Sequence, residues 1–326
     1  MFPDSKAYIE FARFILGSGK EYDPFLVIRP GTSALAAALS PLLDISTSYV
    51  LLNSIMWIAG VVVVFKLTFL LFENEKQALV ASLLYATARP MLYFAGAILS
   101  DGVGYFAVGL TVYLTFLRDK GARRGDYLVD AIFCGLLLFM RETHLFALVF
   151  MLFHRVQKKK GSIETLVGFA VVGVFIYAYL VAWGFDPITY LSNYRVYHLP
   201  TAPKDLGLMV FEWAKAVIRS FSPLVMLIPL GVGDTSFKRI FLCGLFLSPV
   251  ALIWPTITDR YIFNMYPAAI PLATLGLSRA IAVAQSRLRL SIPQDWMAII
   301  VVLLWALYNS YASLATFGLG YLTLAS

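Results

Sequence analysis

The residues in this sequence best suited to chemistry are carboxylates and arginines, and they fall near the ends of long apolar stretches. Asp4 stands in Pro3-Asp4-Ser5-Lys6-Ala7-Tyr8, and Asp101 follows Leu99-Ser100 where one apolar stretch gives way to the next. Carboxylates that share one face of a membrane can act as a general base or hold a divalent cation. Either would also serve as a helix N-cap or a solvated terminal group. Arg29-Pro30, Arg141 and Arg260-Tyr261 lie at the same kind of boundary. An arginine presents a planar fork of donors that matches phosphate oxygens, so the set suits an anionic headgroup; interfacial snorkelling or a local pair such as Asp259–Arg260 is the plainer use. Arg89-Pro90 lies inside an apolar stretch, where the proline should kink the helix and the arginine needs a partner, a ligand phosphate or Asp101. The segment 185–206 mixes Tyr190, Tyr194, Tyr197, His198 and Lys204. Such a mixture could line a sugar or acceptor site, with Tyr194 and His198 at its centre, or form an aromatic belt at the interface. No histidine spacing, P-loop or glycine-rich dinucleotide motif points to other chemistry.

The elements that must position these groups are set by composition. Of 326 residues, 60% are hydrophobic and only 14% charged, and the mean hydropathy is +0.78. A soluble chain is about 45–50% apolar, so too few polar residues remain here to cover a water-facing surface. The apolar runs are helical in length, about 20 residues for a bilayer crossing, and lack the alternation of a β-barrel. The expectation is an all-α, polytopic integral membrane helical bundle of about ten spans. The spans are placed at 46–72, 77–99, 101–118, 127–140, 142–156, 163–184, 207–232, 237–254, 263–283 and 293–318. Residues 1–44 are read as an outer first loop with short amphipathic helices over 5–16 and from Pro30-Gly31 to Leu43, and residues 1–326 as a single membrane domain. The formal charge of +7 comes from basic residues in short loops; it is an orientation signal and not a nucleic-acid footprint. Cys134 and Cys243 lie within apolar runs and act as small hydrophobes.

Topology follows from the basic loops. Arg118 to Arg124, Arg155 to Lys160, Lys238-Arg239 and Arg287 with Arg289 belong on the cytoplasmic side. Because basic groups flank both ends of 127–156, that stretch must go out and return, with Arg141 at the turn; a single tilted helix with Arg141 buried is the alternative. The first loop, Asp101, Arg141, 185–206 and 255–262 then face the non-cytoplasmic side of a multi-pass cell-membrane protein. That phase leaves the N-terminus outside with no span before it, where a protein of this kind would normally have one more; the expectation is an internal or misassigned start at Met1, or a shortened relative.

The order of these features resembles the GT-C superfamily of membrane glycosyltransferases, above all the protein-mannosyltransferase and aminoarabinose-transferase-like branch. The resemblance rests on Asp4 with Tyr8, Gly17-Ser18-Gly19, Arg29-Pro30, Asn53, Ala88-Arg89-Pro90, Ser100-Asp101, Arg141, and Asp259-Arg260-Tyr261 ahead of Pro267. It runs through most of the chain on spaced single residues. It implies transfer of a sugar from a polyprenyl-phosphate carrier to a glycan, lipid or protein acceptor. It implies Asp4 and Asp101 as the reaction-centre acids and Arg141 and Arg260 beside the carrier phosphate. A divalent cation, Mg or Mn, would be held by those acids if one is used. Many relatives carry a second acid where this chain has Ser5. A transporter or lipid flippase is the competing reading, though the charges gather at one face and no inverted repeat is visible. A GT-C-like subunit that has lost its chemistry is the third. Consumption of a lipid-linked sugar separates the first reading from the other two.

Overall fold

The structure is a computed structural model. It describes residues 5–19, 23, 26–94, 98–123, 125–186, 206–222, 224–232, 238–247, 259–289 and 292–324. Among these residues every regular element is helical. Two short helices come first, α1 (Ser5–Ile15) and α2 (Gly31–Leu39), as the spacing of Tyr8, Phe11, Ala12 and Ile15 predicts. The apolar face of α1 buries Tyr8, Phe11 and Ala12 against Ala36, Ala37 and Tyr49.

The next helices are set by their caps. Helix α3 (Ile45–Phe72) begins where Asp44 accepts a hydrogen bond from the Thr47 amide, and ends at Glu73, which turns left-handed at φ 54°. Asn74 then caps α4 (Glu75–Ala86) by accepting from the Gln77 amide, so α3 and α4 form a tight antiparallel hairpin. The predicted span 77–99 is not one kinked helix. It breaks after Ala86, and α5 (Arg89–Phe94) starts afresh with Pro90 in its first turn, where the missing N–H of proline is not needed.

Helix α6 (Asp101–Lys120) is the central rod, packed along α3. Alongside it the stretch 126–158 runs out and back, as the charge pattern requires. Helix α7 (Asp126–Leu136) starts beside the C-terminal end of α6, where Arg118 grips Asp130 through Nε at 2.7 Å and Nη2 at 2.8 Å. Arg141 forms the far turn. Helix α8 (Leu145–Lys158) returns to the same end, where His154 Nε2 meets Asp119 at 3.1 Å and Arg155 Nη2 meets Asp130 at 3.2 Å. Sequence reading treated Arg118 and Arg155 only as orientation signals; here they are structural, two arginines on one buried carboxylate.

Helix α9 (Ser162–Ala182) packs on α7 and leaves Val174 70% and Tyr177 61% exposed. Predicted span 207–232 breaks into α10 (Leu206–Phe221), a 3-10 turn at Leu224–Met226 and α11 (Ile228–Gly231). The described part of 237–254 is α12 (Lys238–Leu247), with Cys243 buried. The chain continues with α13 (Asp259–Ile262), α14 (Tyr266–Leu288) and α15 (Gln294–Leu324). An apolar cluster with Tyr85, Tyr105, Phe221, Phe263 and Tyr266 joins α14 to α4, α6 and α10, and the Tyr266 hydroxyl donates to the Tyr105 carbonyl at 2.7 Å.

Against the ten spans expected, the helices among the described residues that are long and apolar enough to cross a membrane by themselves are Ile45–Phe72, Ser162–Ala182 and Phe263–Leu288. The broken stretch Val210–Phe221 plus Leu224–Gly231 adds a fourth if it is taken as one span. Two of the predicted spans, 77–99 and 207–232, are divided, after Ala86 and at the Leu224–Met226 turn, into pieces too short to qualify singly.

Candidate active site

The site is built where the start of α6, the Arg141 turn and the short helix α13 meet. Asp101 does not cap its helix. Ser100 occupies that position, and Asp101 is the first helical residue. Its Oδ1 lies 2.5 Å from Arg141 Nη1, and both side chains are fully buried. Arg141 is brought there by an extended backbone (φ −164°, ψ 130°) between the 3-10 turns Leu137–Phe139 and Glu142–His144. Its aliphatic stem runs across α6 at Gly104, where an added Cβ would fall 2.4 Å from Arg141 Cδ. Only glycine leaves room for this crossing.

The guanidinium also lies 5.6 Å from the centre of the Tyr261 ring, a cation–π contact that strengthens away from water. Tyr261 is 8% exposed. Among the described residues Nε and Nη2 of Arg141 have no hydrogen-bond acceptor. A buried guanidinium pays a large desolvation penalty, and one carboxylate and one ring leave part of its donor fork unused.

Arg29 belongs to the same neighbourhood. Its Nη1 donates to both Glu142 oxygens, at 3.0 and 3.3 Å, and its guanidinium lies 5.7 Å from the Tyr8 ring centre. The first loop and the Arg141 turn are thus linked by an ion pair between Arg29 and the neighbour of Arg141. Tyr8 reaches across to Ser100, hydroxyl to hydroxyl at 2.8 Å. Tyr49 donates from below to the Tyr8 carbonyl at 2.9 Å.

Of the residues expected to act, the structure unites Asp101, Arg141 and Tyr261 directly, with Arg29 beside them. Half-buried Arg89 opens α5, which adjoins α6. The backbone of Arg260 lies in α13, and its side chain is outside what the structure describes. Asp4, Tyr194 and His198 lie outside the described residues. Residues missed in the sequence include Glu142 and Tyr49. Glu142 carried a signal, an acid adjoining an arginine at a turn, which is a common way to supply a counter-charge. No group of three or more His, Cys, Asp or Glu side chains able to hold a metal is found among the described residues. Magnesium takes a shell of oxygens, whereas Asp101 offers a carboxylate already engaged by a guanidinium. The cluster therefore suits an anion better than a cation.

The fold has close counterparts among solved structures. ArnT from Cupriavidus metallidurans bound to undecaprenyl phosphate matches with a TM-score of 0.68 at 15% identity, over 96% of this chain and 68% of that one. The same enzyme in its apo state matches at 0.61, with 15% identity over 96% of this chain and 67% of that one. The chain shares the fold of this protein. An Archaeoglobus fulgidus oligosaccharyltransferase tethered to an acceptor peptide containing the NVT sequon extends the likeness, with a TM-score of 0.50 and 12% identity over 95% of this chain and half of that one. No family model and no curated protein sequence matches the chain. The likeness is therefore carried by arrangement. Of the spaced residues singled out in the sequence, Ser100-Asp101, Arg141 and Tyr261 converge, with Tyr8 and Arg29 beside them.

Proposed function

We propose that this chain is a multi-pass membrane glycosyltransferase. It would move a sugar from a polyprenyl-phosphate carrier to a hydroxyl or similar acceptor at the non-cytoplasmic face, with the described bundle and the first loop acting as one membrane domain. The observation that carries this reading is the buried Asp101–Arg141–Tyr261 cluster within a GT-C fold. A buried ion pair is weak evidence for stability, because apolar residues of similar volume would do as well or better. Its presence at the start of α6 is better explained by work on an anionic substrate.

The chemistry follows from charge. In the reaction the acceptor oxygen forms a bond to the anomeric carbon as the carbon–oxygen bond to the carrier phosphate breaks. Negative charge grows on the departing phosphate. Arg141, oriented by Asp101 and Tyr261, offers its Nε and Nη2 donors to that charge, and such preorganised donors contribute most where water is excluded. Arg29, Arg89 and Arg260 supply further positive charge for the phosphate. Asp4 takes the acceptor proton, a contribution of about 100- to 10,000-fold. Attack opposite the departing phosphate inverts the anomeric centre. Tyr194 and His198 are assigned to the acceptor or sugar.

The test is transfer from a panel of labelled undecaprenyl-phosphate sugars by the full chain in proteoliposomes. Wild type is expected to consume one of them. Asp4→Ala should lose about 100-fold or more and Arg141→Lys should lose the planar fork and most activity. A wild type that consumes none, or an Asp4→Ala variant with full activity, contradicts the assignment.

A further inference from the structure

Three consecutive residues at the start of α6 are each held by a different element. The Leu99 carbonyl accepts from Asn53 Nδ2 of α3 at 2.9 Å. The Ser100 hydroxyl meets the Tyr8 hydroxyl of α1 at 2.8 Å. Asp101 meets Arg141 of the α7–α8 turn. Asn53 is fully buried in the first half of the largely apolar α3. There an amide is costly unless it is bonded, so packing alone gives no reason for it. Its fit to α6 is close: a Cβ added to Gly102 would fall 2.7 Å from Asn53 Oδ1. The glycine therefore lets the first turn of α6 lie directly on the amide.

We infer that Asn53 and Tyr8 are positioning residues, a clamp that fixes the Leu99–Asp101 step so that the Asp101 carboxylate meets the Arg141 guanidinium. The inference rests on the transferase reading above, and goes beyond it in assigning roles to residues that touch no substrate. Each contact constrains a separate degree of freedom. Asn53 sets the depth of the α6 terminus against α3. Tyr8, itself held through its carbonyl by Tyr49, sets its lateral position relative to α1, the helix that follows Asp4. The clamp thus ties Asp101 to α1 and α3 in one frame. A misplacement of about 1 Å in such a frame can cost about 100-fold in rate.

The experiment uses the full chain in detergent, as wild type, Asn53→Ala and Tyr8→Phe, with two readouts. Phenylglyoxal labelling of buried arginines is read by peptide mass spectrometry. Arg141 and Arg155 lie toward opposite ends of α6, 0% and 2% exposed, and both should be protected in wild type. In Asn53→Ala, Arg141 should become labelled while Arg155 stays protected, since only the near end of α6 is released. Tyr8→Phe should show the same contrast more weakly. In the transfer assay, Asn53→Ala should lower kcat by about tenfold or more while the donor KM moves less than about threefold, because substrate contacts remain and alignment is lost. Unchanged protection of Arg141 in Asn53→Ala, equal exposure of Arg155, or an unchanged kcat overturns the clamp. A wild type without transfer activity sinks the transferase reading instead, and the labelling contrast then decides the clamp by itself.

Discussion

At the scale of single residues, the burial of Asp101 and Arg141 makes a sharp distinction between stability and function. Replacing Asp101 by Asn leaves a guanidinium in a dry site without its counter-charge, and the expected loss is about 3–5 kcal/mol, read as a shift in the denaturant midpoint. Replacing both partners by apolar residues, Asp101→Leu with Arg141→Met, removes the charges together and should restore most of that loss. Gly104→Ala probes the crossing of the Arg141 stem. Its Cβ would lie 2.4 Å from Arg141 Cδ, and such overpacking costs about 1–3 kcal/mol; transfer should fall with it. The candidate residues were visible in the sequence because ionisable groups at the ends of apolar runs are conspicuous. Their pairing was not visible. Asp101 had Arg89 as a nearer partner in sequence, and only the return of the chain at Arg141 gives the pair that forms. Asn53 stood in the sequence only among the spaced residues of the resemblance, and nothing in its spacing shows that it meets a carbonyl 46 residues away.

At the scale of elements, α6 is fixed at both ends, by the site at one and by the arginine–carboxylate cluster at the other. Asp130 is 4% exposed and takes both Arg118 and Arg155. Asp130→Ala should therefore destabilise the α7–α8 hairpin by about 3–5 kcal/mol, measured by chemical denaturation. The out-and-back path of this stretch was legible from the basic residues on its flanks, which is a charge argument and does not depend on propensity. The break between α4 and α5 was only half legible. Pro90 announced a disturbance, but a proline tolerated in the first turn of a new helix looks in sequence like one that kinks an old helix. Helix starts are also testable. Thr47, through its hydroxyl and its amide, holds the Asp44 carboxyl below the usual carboxylate range. A depressed folded-state value means that the cap contributes fully above the ordinary carboxylate pKa, about 3.9, and that its contribution is lost as pH falls through the folded value. The difference in melting temperature between wild type and Asp44→Ala should be present at neutral pH and close in acid.

At the scale of the whole molecule, the apolar composition announced a lipid-embedded bundle. The long helices α3 and α9, with their exposed Ile58, Val62, Val174 and Phe175, bear that out. The likeness to ArnT is one of fold; the transfer chemistry is our proposal, and the topology proposed with it makes a prediction of its own. Single cysteines placed at positions 4 and 260 should be reached by an impermeant maleimide from the non-cytoplasmic side of intact vesicles, and one at position 158 from the cytoplasmic side. The central claim is that the buried Asp101–Arg141 pair exists for sugar transfer and not for folding. The most direct measurement combines transfer from a labelled undecaprenyl-phosphate sugar with a melting curve, on wild type and on the Asp101→Leu, Arg141→Met double variant. The account predicts a double variant that melts close to wild type and transfers nothing. A double variant that transfers sugar at the wild-type rate would contradict it.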